Sequence, residues 1–172
     1  MAEQAVADSR VLQTLDEFSP VVVSTIWVGF DIEGSDIDIV GSCSDFQEFE
    51  SVFSQAYSGC AEYECSRRTT YALGRFRWDD FLIEAFLSST PVQDQPAYRH
   101  FRVMQRLATL AGENFGERVR ALKKGGMKTE PALCALLGLS GDPYVAVLDL
   151  ESWSDSDIQR RILETLERGR AG

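Results

Sequence analysis

One histidine, His100, and four cysteines placed singly at positions 43, 60, 65 and 134 leave this chain short of zinc ligands, and no CxxC pair occurs. Cysteines so scattered read as reduced, mostly structural thiols, in keeping with the burial habit of free cysteine. No apolar run approaches the roughly 20 residues that span a bilayer. The opening MAEQAVADSR has neither the basic start nor the apolar stretch of a signal peptide. A cytoplasmic protein without membrane contact is the expectation. Prolines number only 5 in 172 residues, and no repeat, linker or low-complexity stretch interrupts a chain that is 44% hydrophobic. That length and composition suit one well-packed domain, or a domain with a helical appendage. Basic residues are scarce as well, 17 against 27 acidic, for a net charge of −10. Sequence-independent binding to duplex or other long nucleic acid needs many neutralised phosphates, so the balance weighs against it.

The charge is unevenly spread. Residues 1–90 carry 16 acidic and 5 basic side chains, whereas residues 91–128 carry 8 basic and 3 acidic. An acidic half and a basic helix suit a metal on one side and phosphates on the other; a solvated helix face is the plainer explanation.

Hydrophobic periodicity orders the chain. Asp8 or Ser9 is placed to cap a helix carrying Val11, Leu12, Leu15 and Phe18, which Pro20 ends. The β-branched run from Val21 to Ile26 predicts a buried strand. After a turn between Gly29 and Gly34, Asp36-Ile37-Asp38-Ile39-Val40 alternates with period two and predicts a second strand with both carboxylates on one face. Ser44 and Gln47 form a capping box for a helix with Phe46, Phe49, Val52, Phe53 and Tyr57. Strands are predicted around Thr69–Phe76 and Asp80–Leu87. From Gln93 the pattern is helical: stripes at Tyr98, Phe101, Met104, Leu107 and Leu110, then Phe115, Val119 and Leu122, a break at Gly125-Gly126, a short helix near Pro131–Leu137, a turn at Gly141-Asp142-Pro143 and a last helix capped by Ser154. The order predicts an α+β (α/β-like) fold: a mixed sheet flanked by helices over residues 1–90, then a helical region, 91–172, packed on that core.

Two aspartates on one face of an otherwise apolar strand repel each other and lose hydration, and a divalent cation removes both problems. Side chains two apart lie about 7 Å from each other along a strand, within reach of one Mg²⁺ or a pair of ions. Glu84, the lone charge in FLIEAFL, is the candidate third ligand. An Asp-x-Asp on a strand is also what an outer, solvated sheet face contains, so the pair alone does not decide.

The segment Val23-Ser24-Thr25, followed ten residues later by Asp36-Ile37-Asp38-Ile39, resembles the signature of the DNA polymerase β nucleotidyltransferase superfamily. The stretches STIWVGFDIEGSDIDIV, FLIEAFLSSTPVQDQPAYRHF and KTEPALCALLGLSGDPY are similar to a family of small bacterial nucleotidyltransferase-like proteins, a domain of unknown function, over roughly residues 10–150. The resemblance implies a nucleotidyltransferase fold and Mg²⁺-dependent transfer from a nucleoside triphosphate to an acceptor hydroxyl on a small molecule, a protein or an RNA end, long RNA being the least favoured by the acidic surface. It implies that Asp36 and Asp38 ligate metal, that Glu84 activates the acceptor or joins the metal set, and that Ser24 and Thr25 hold the triphosphate; Ser35 is a further candidate nucleotide contact. Arg99 and Lys128 are the candidate charged donors to phosphate. Ser24 stands where the family pattern has a glycine that lets phosphate approach the backbone. That departure keeps open a catalytically inactive nucleotide- or partner-binding protein, of a toxin–antitoxin kind, and an interaction domain with vestigial carboxylates. His100, Thr129 to Pro131 and Asp142 read first as local structure, and Trp27 as either a base-stacking or a packing aromatic.

Overall fold

A computed structural model describes residues 1–168. It divides into two compact units, one of Met1–Ile26 with Gly34–Tyr98, the other of Trp27–Glu33 with the chain from Arg99 onward.

The first unit opens with α1 (Ala2–Ser9) and α2 (Val11–Thr14), separated by Arg10 in the left-handed region, φ 57°. The expected cap residues, Asp8 and Ser9, thus lie inside the additional helix α1, and the helix carrying Val11 has Arg10 as its cap residue. The alanines and glutamine of α1 are good helix formers, and the apolar spacing used to place the start begins only after Arg10. Val11, Leu15 and Phe18 are buried as anticipated. The strand expected over 21–26 is only β1, Val21–Val22; a 3₁₀ turn occupies Thr25–Val28. β2 (Ile37–Ser42), β3 (Glu64–Arg67), β4 (Tyr71–Trp78) and β5 (Phe81–Ser88) complete a five-stranded sheet in the order β1-β2-β5-β4-β3. β2 and β5 run parallel; every other pair is antiparallel.

α3 (Phe46–Tyr57) follows β2. Its cap is Asp45 rather than Ser44: the Asp45 carboxylate accepts from the amides of Gln47 (2.9 Å) and Glu48 (3.2 Å). Phe49, Phe53 and Tyr57 recur on one helical face and are buried. The Tyr57 ring stacks on Phe76 of β4 at 4.0 Å between centroids, and Phe53 meets the same ring at 5.7 Å. Phe53 also lies over Gly74, where a Cβ would come within 2.5 Å of the ring. Ile37, Ile39, Ala72, Phe76, Ile83, Ala85 and Leu87 are buried. The strand alternation sends Asp38, Arg75, Arg77, Glu84 and Phe86 to the opposite face.

The second unit is helical. α4 (Pro96–Ala111) begins in the first unit and runs into it, followed by α5 (Glu113–Lys124), α6 (Thr129–Leu137), α7 (Pro143–Asp149) and α8 (Asp155–Arg168). Met104, Leu107, Phe115, Val119, Leu133, Val147, Ile158 and Ile162 form its core, joined by Phe30 from the 27–33 loop. Phe30 meets Phe115 edge-on at 6.2 Å. Arg120 donates to the Gly29 carbonyl, and Lys123 Nζ to that of Phe30 at 2.7 Å, which ties the loop to these helices. Asp142 caps α7, accepting from Tyr144 and Val145 amides with Pro143 in the first turn, so the expected turn is a helix start. α6 begins at Thr129, inside the helix and buried, and Lys128 is the cap residue. Ser154 Oγ accepts from the Asp157 amide at 3.2 Å at the head of α8, as anticipated. No helix among the described residues is long and apolar enough to cross a membrane.

Candidate functional site

The parallel pairing of β2 with β5 places Asp38 directly beside Glu84, and the antiparallel pairing of β5 with β4 places Glu84 beside Arg75. Arg75 in turn is opposite Glu64 of β3, to which its guanidinium donates at 2.7 Å. Directly paired residues share a face, so Asp38, Glu84, Arg75 and Glu64 form one row across the sheet, away from α3. Asp36, two residues before Asp38, lies toward the same side at the mouth of β2. Its charge reaches Glu84: burial first, then Asp36, push the Glu84 carboxyl above its ordinary value, while Arg75 opposes the shift. Asp36 also acts on Arg77, whose guanidinium is held by Glu62 at 2.5 and 3.1 Å.

The sequence-derived carboxylates are therefore brought to one face, with Asp38 exposed and Asp36 and Glu84 half-buried. They do not make a finished cage. Among the described residues no group of three or more His, Cys, Asp or Glu side chains is placed to hold a metal ion. Burial and the neighbouring Asp36 charge both disfavour the ionised form of Glu84. The donors are hard oxygens, and Mg²⁺ commonly takes only one or two protein carboxylates beside water and phosphate, so the set fits that ion.

Ser24 is fully buried, and its hydroxyl donates to the Asp36 carbonyl at 2.7 Å while accepting from the Ile26 amide at 3.3 Å. The Val23 amide donates to the Asp38 carbonyl at 2.8 Å. These bonds fasten the 24–26 turn to the segment bearing the aspartates, so the Ser24 hydroxyl and the Ile26 amide are engaged inside the fold. Thr25 begins the 3₁₀ turn and Ser35 precedes Asp36; both are half-buried and have partners within the protein.

The basic residues expected to meet phosphate belong to the helical unit. Arg99 is bidentate on Glu151 at 2.6 and 3.1 Å, and Lys128 is exposed. Much of the basic excess of α4 and α5 is structural wiring. Arg106 donates to the Leu150 and Trp153 carbonyls and to Asp155, and Arg118 to the Thr165 and Leu166 carbonyls. His100 is buried with Nε2 at 2.8 Å from the Tyr144 carbonyl. Trp27 lines a shallow cavity of about 310 Å³ with Val28, Gln105, Ala108 and Thr109. All four cysteines are free thiols; burial pushes Cys43, Cys65 and Cys134 upward, away from the reactive thiolate.

Arg75 and Arg77, the basic side chains of the carboxylate face, escaped the sequence reading. Their alternation in YALGRFRW was the available signal, but it acquires meaning only once the register sets Arg75 beside Glu84.

A family model described as a domain of unknown function (DUF4269) matches residues 4–150. No curated protein matches the sequence. Among solved structures, the chain is similar to the Cid1 poly(U) polymerase in a structure with MgGTP bound, at TM-score 0.55 and 12% identity over 85% of this chain and 47% of that one. It is also similar to the polymerase core of TRAMP, an RNA surveillance complex, at TM-score 0.53 and 15% identity over 96% of this chain and 56% of that one. The chain thus spans about half the length of these structures. At such identities the likeness shows the fold: that of a nucleotidyltransferase.

Proposed function

The chain belongs to this family of unknown function, and from its fold and its row of carboxylates we propose that it transfers a nucleotidyl group from a nucleoside triphosphate to an acceptor hydroxyl, with Mg²⁺ bound. The observation that carries the reading is the pairing of Asp38 with Glu84 on adjacent parallel strands, with the charge of Asp36 felt at Glu84. A sheet face that assembles negative charge at partial burial favours a cation.

In this reading Asp36 and Asp38 hold the ion against the triphosphate, and Glu84 faces the acceptor. A bound Mg²⁺ supplies neutralisation of phosphate charge and of the charge gathering on the leaving group. Glu84 takes the proton of the acceptor hydroxyl. The hydroxyl oxygen bonds to the α-phosphorus as the bond from that phosphorus to the α–β bridging oxygen breaks, and pyrophosphate departs with the electron pair. A carboxylate whose proton affinity is raised above the ordinary is a better base for this step than an exposed one. Ser24, Thr25 and Ser35 are assigned to the phosphates, with Arg99 or Lys128 as the charged donor. Small molecules, proteins and RNA ends are the acceptor classes carried from the sequence.

A second reading, a nucleotide- or partner-binding protein without transfer activity, of a toxin–antitoxin kind, is favoured by one observation. The Ser24 hydroxyl is already bonded to the Asp36 carbonyl and the Ile26 amide to that hydroxyl. Calorimetry with ATP, GTP, CTP and UTP, with and without Mg²⁺, followed by labelled-nucleotide transfer, separates the two. The enzyme reading expects Mg²⁺-dependent binding and transfer that Glu84→Gln lowers by about 10²–10⁴-fold in kcat, with loss of metal-dependent binding in the Asp36→Ala/Asp38→Ala variant. Binding without transfer in the wild type selects the second reading, and no binding of any triphosphate removes both nucleotide readings.

A further inference from the structure

Glu84 has four neighbours on its face of the sheet: Asp38 across β2, Arg75 across β4, and Leu82 and Phe86 before and after it on β5. The Asp38 side belongs to the metal and triphosphate in the reading above. The opposite side has a different chemistry. Phe86 is 37% exposed, a large value for a phenylalanine inside a strand, and it stacks on Tyr71 of β4 at 5.3 Å between centroids with planes 27° apart. Arg75 donates to Glu64, yet its Nε–H is buried from water and has no hydrogen-bond partner. A ligand meets this guanidinium through the exposed remainder of the side chain rather than through the buried Nε–H. The Arg75–Glu64 pair, at 38% and 67% side-chain exposure, is of the surface kind that is easily exchanged.

We propose that the face of β4 and β5 beyond Glu84 binds the acceptor, and that the acceptor it fits is a nucleotide: its base on the Phe86–Tyr71 pair and its phosphate on Arg75. The inference rests on the transfer reading for its direction. Phe86 is two residues from Glu84, about 7 Å along the strand, so a base on the ring leaves the sugar hydroxyls near the carboxylate. Stacked aromatics beside a guanidinium form the combination that holds a single-stranded nucleotide without reading its sequence. The surrounding Glu62 and Glu64 limit this surface to a short segment rather than a long phosphate track.

The test is an NMR titration of the full chain without Mg²⁺, following the Arg75 Nε–H signal and the Phe86 and Tyr71 ring signals, with uridine 5′-monophosphate, uridine and inorganic phosphate as probes. The nucleotide is expected to move both sets, uridine the rings alone and phosphate Arg75 alone. Phe86→Ala and Arg75→Gln are each expected to weaken the nucleotide about tenfold, in line with the loss of one stacked base or one charge-assisted contact. Phe86→Tyr is expected to retain binding and serves as the folded control. Shifts that avoid both sets, or affinities unchanged in Phe86→Ala and Arg75→Gln, overturn the assignment. The outcome is independent of Mg²⁺–triphosphate binding, so an intact acceptor surface in a chain that binds no triphosphate is distinguished from the reverse.

Discussion

Glu84 is where the residue scale of this protein can be interrogated. Its carboxyl is raised by burial, then by Asp36, with Glu64 adding and Arg75 subtracting. The folded state therefore binds a proton at Glu84 more tightly than the unfolded chain does. Stability from that proton is fully present below the unfolded pKa and is lost as the pH rises through the folded one. Glu84→Gln should accordingly raise Tm relative to wild type at pH 7 and leave it unchanged in acid below the ordinary carboxylate range. Paired thermal melts check this, and a variant less stable at pH 7 than in acid, relative to wild type, contradicts it. The lone charge in FLIEAFL made Glu84 legible in the sequence, as the Asp-x-Asp alternation did for its partners. Ser24 was legible only as a departure from a glycine pattern; that its hydroxyl is buried on the Asp36 carbonyl depends on a contact twelve residues away. Arg75 was invisible for the same reason, because its importance lies in register and not in local pattern.

At the scale of elements, strong periodicity was readable and polar or short segments were not. β2, β5, α3, α4, α5 and the Ser154 cap follow from alternation, helical stripes and capping chemistry. β3, Glu64–Arg67, has no apolar alternation and is an edge strand recruited by pairing with β4, so nothing in its own four residues announces it. The 21–26 run ended early as a strand because Ser24 turns the chain, overriding β propensity with a side-chain hydrogen bond. Gly74 shows why β4 and α3 sit where they do. A Cβ there would enter the Phe53 ring, whereas one at Gly59 would meet nothing within 4 Å. Gly74→Ala should destabilise the chain by about 1–3 kcal/mol, and Gly59→Ala should cost nothing or slightly stabilise through the unfolded chain. Urea denaturation compares them; equal midpoints for the two variants would mean that Phe53 has room to yield.

For the whole molecule the charge distribution limits what the proposed acceptor face can take. The chain carries −10, and residues 1–90 hold 16 of its 27 acidic groups. On the sheet face Arg75 and Arg77 are bracketed by Glu64 and Glu62 on one side and by Glu84 and the aspartates on the other. Five cations of α4 and α5, namely Arg99, Arg106, Arg118, Arg120 and Lys123, are tied to carboxylates or carbonyls of their own unit. A basic track long enough to follow a phosphate backbone is therefore missing among the described residues, and the acceptor face proposed above is sized for one nucleotide. Labelled oligouridylates of increasing length should bind with affinity that levels off after the first nucleotide or two. The logarithm of affinity should fall with the logarithm of salt at a slope of about −0.7 to −1.4, the signature of one or two phosphates on a single strand. Fluorescence polarisation across lengths and salt concentrations measures both. Affinity that keeps growing with length, together with a slope several times steeper, would identify an extended RNA surface and rule out the one-nucleotide acceptor site.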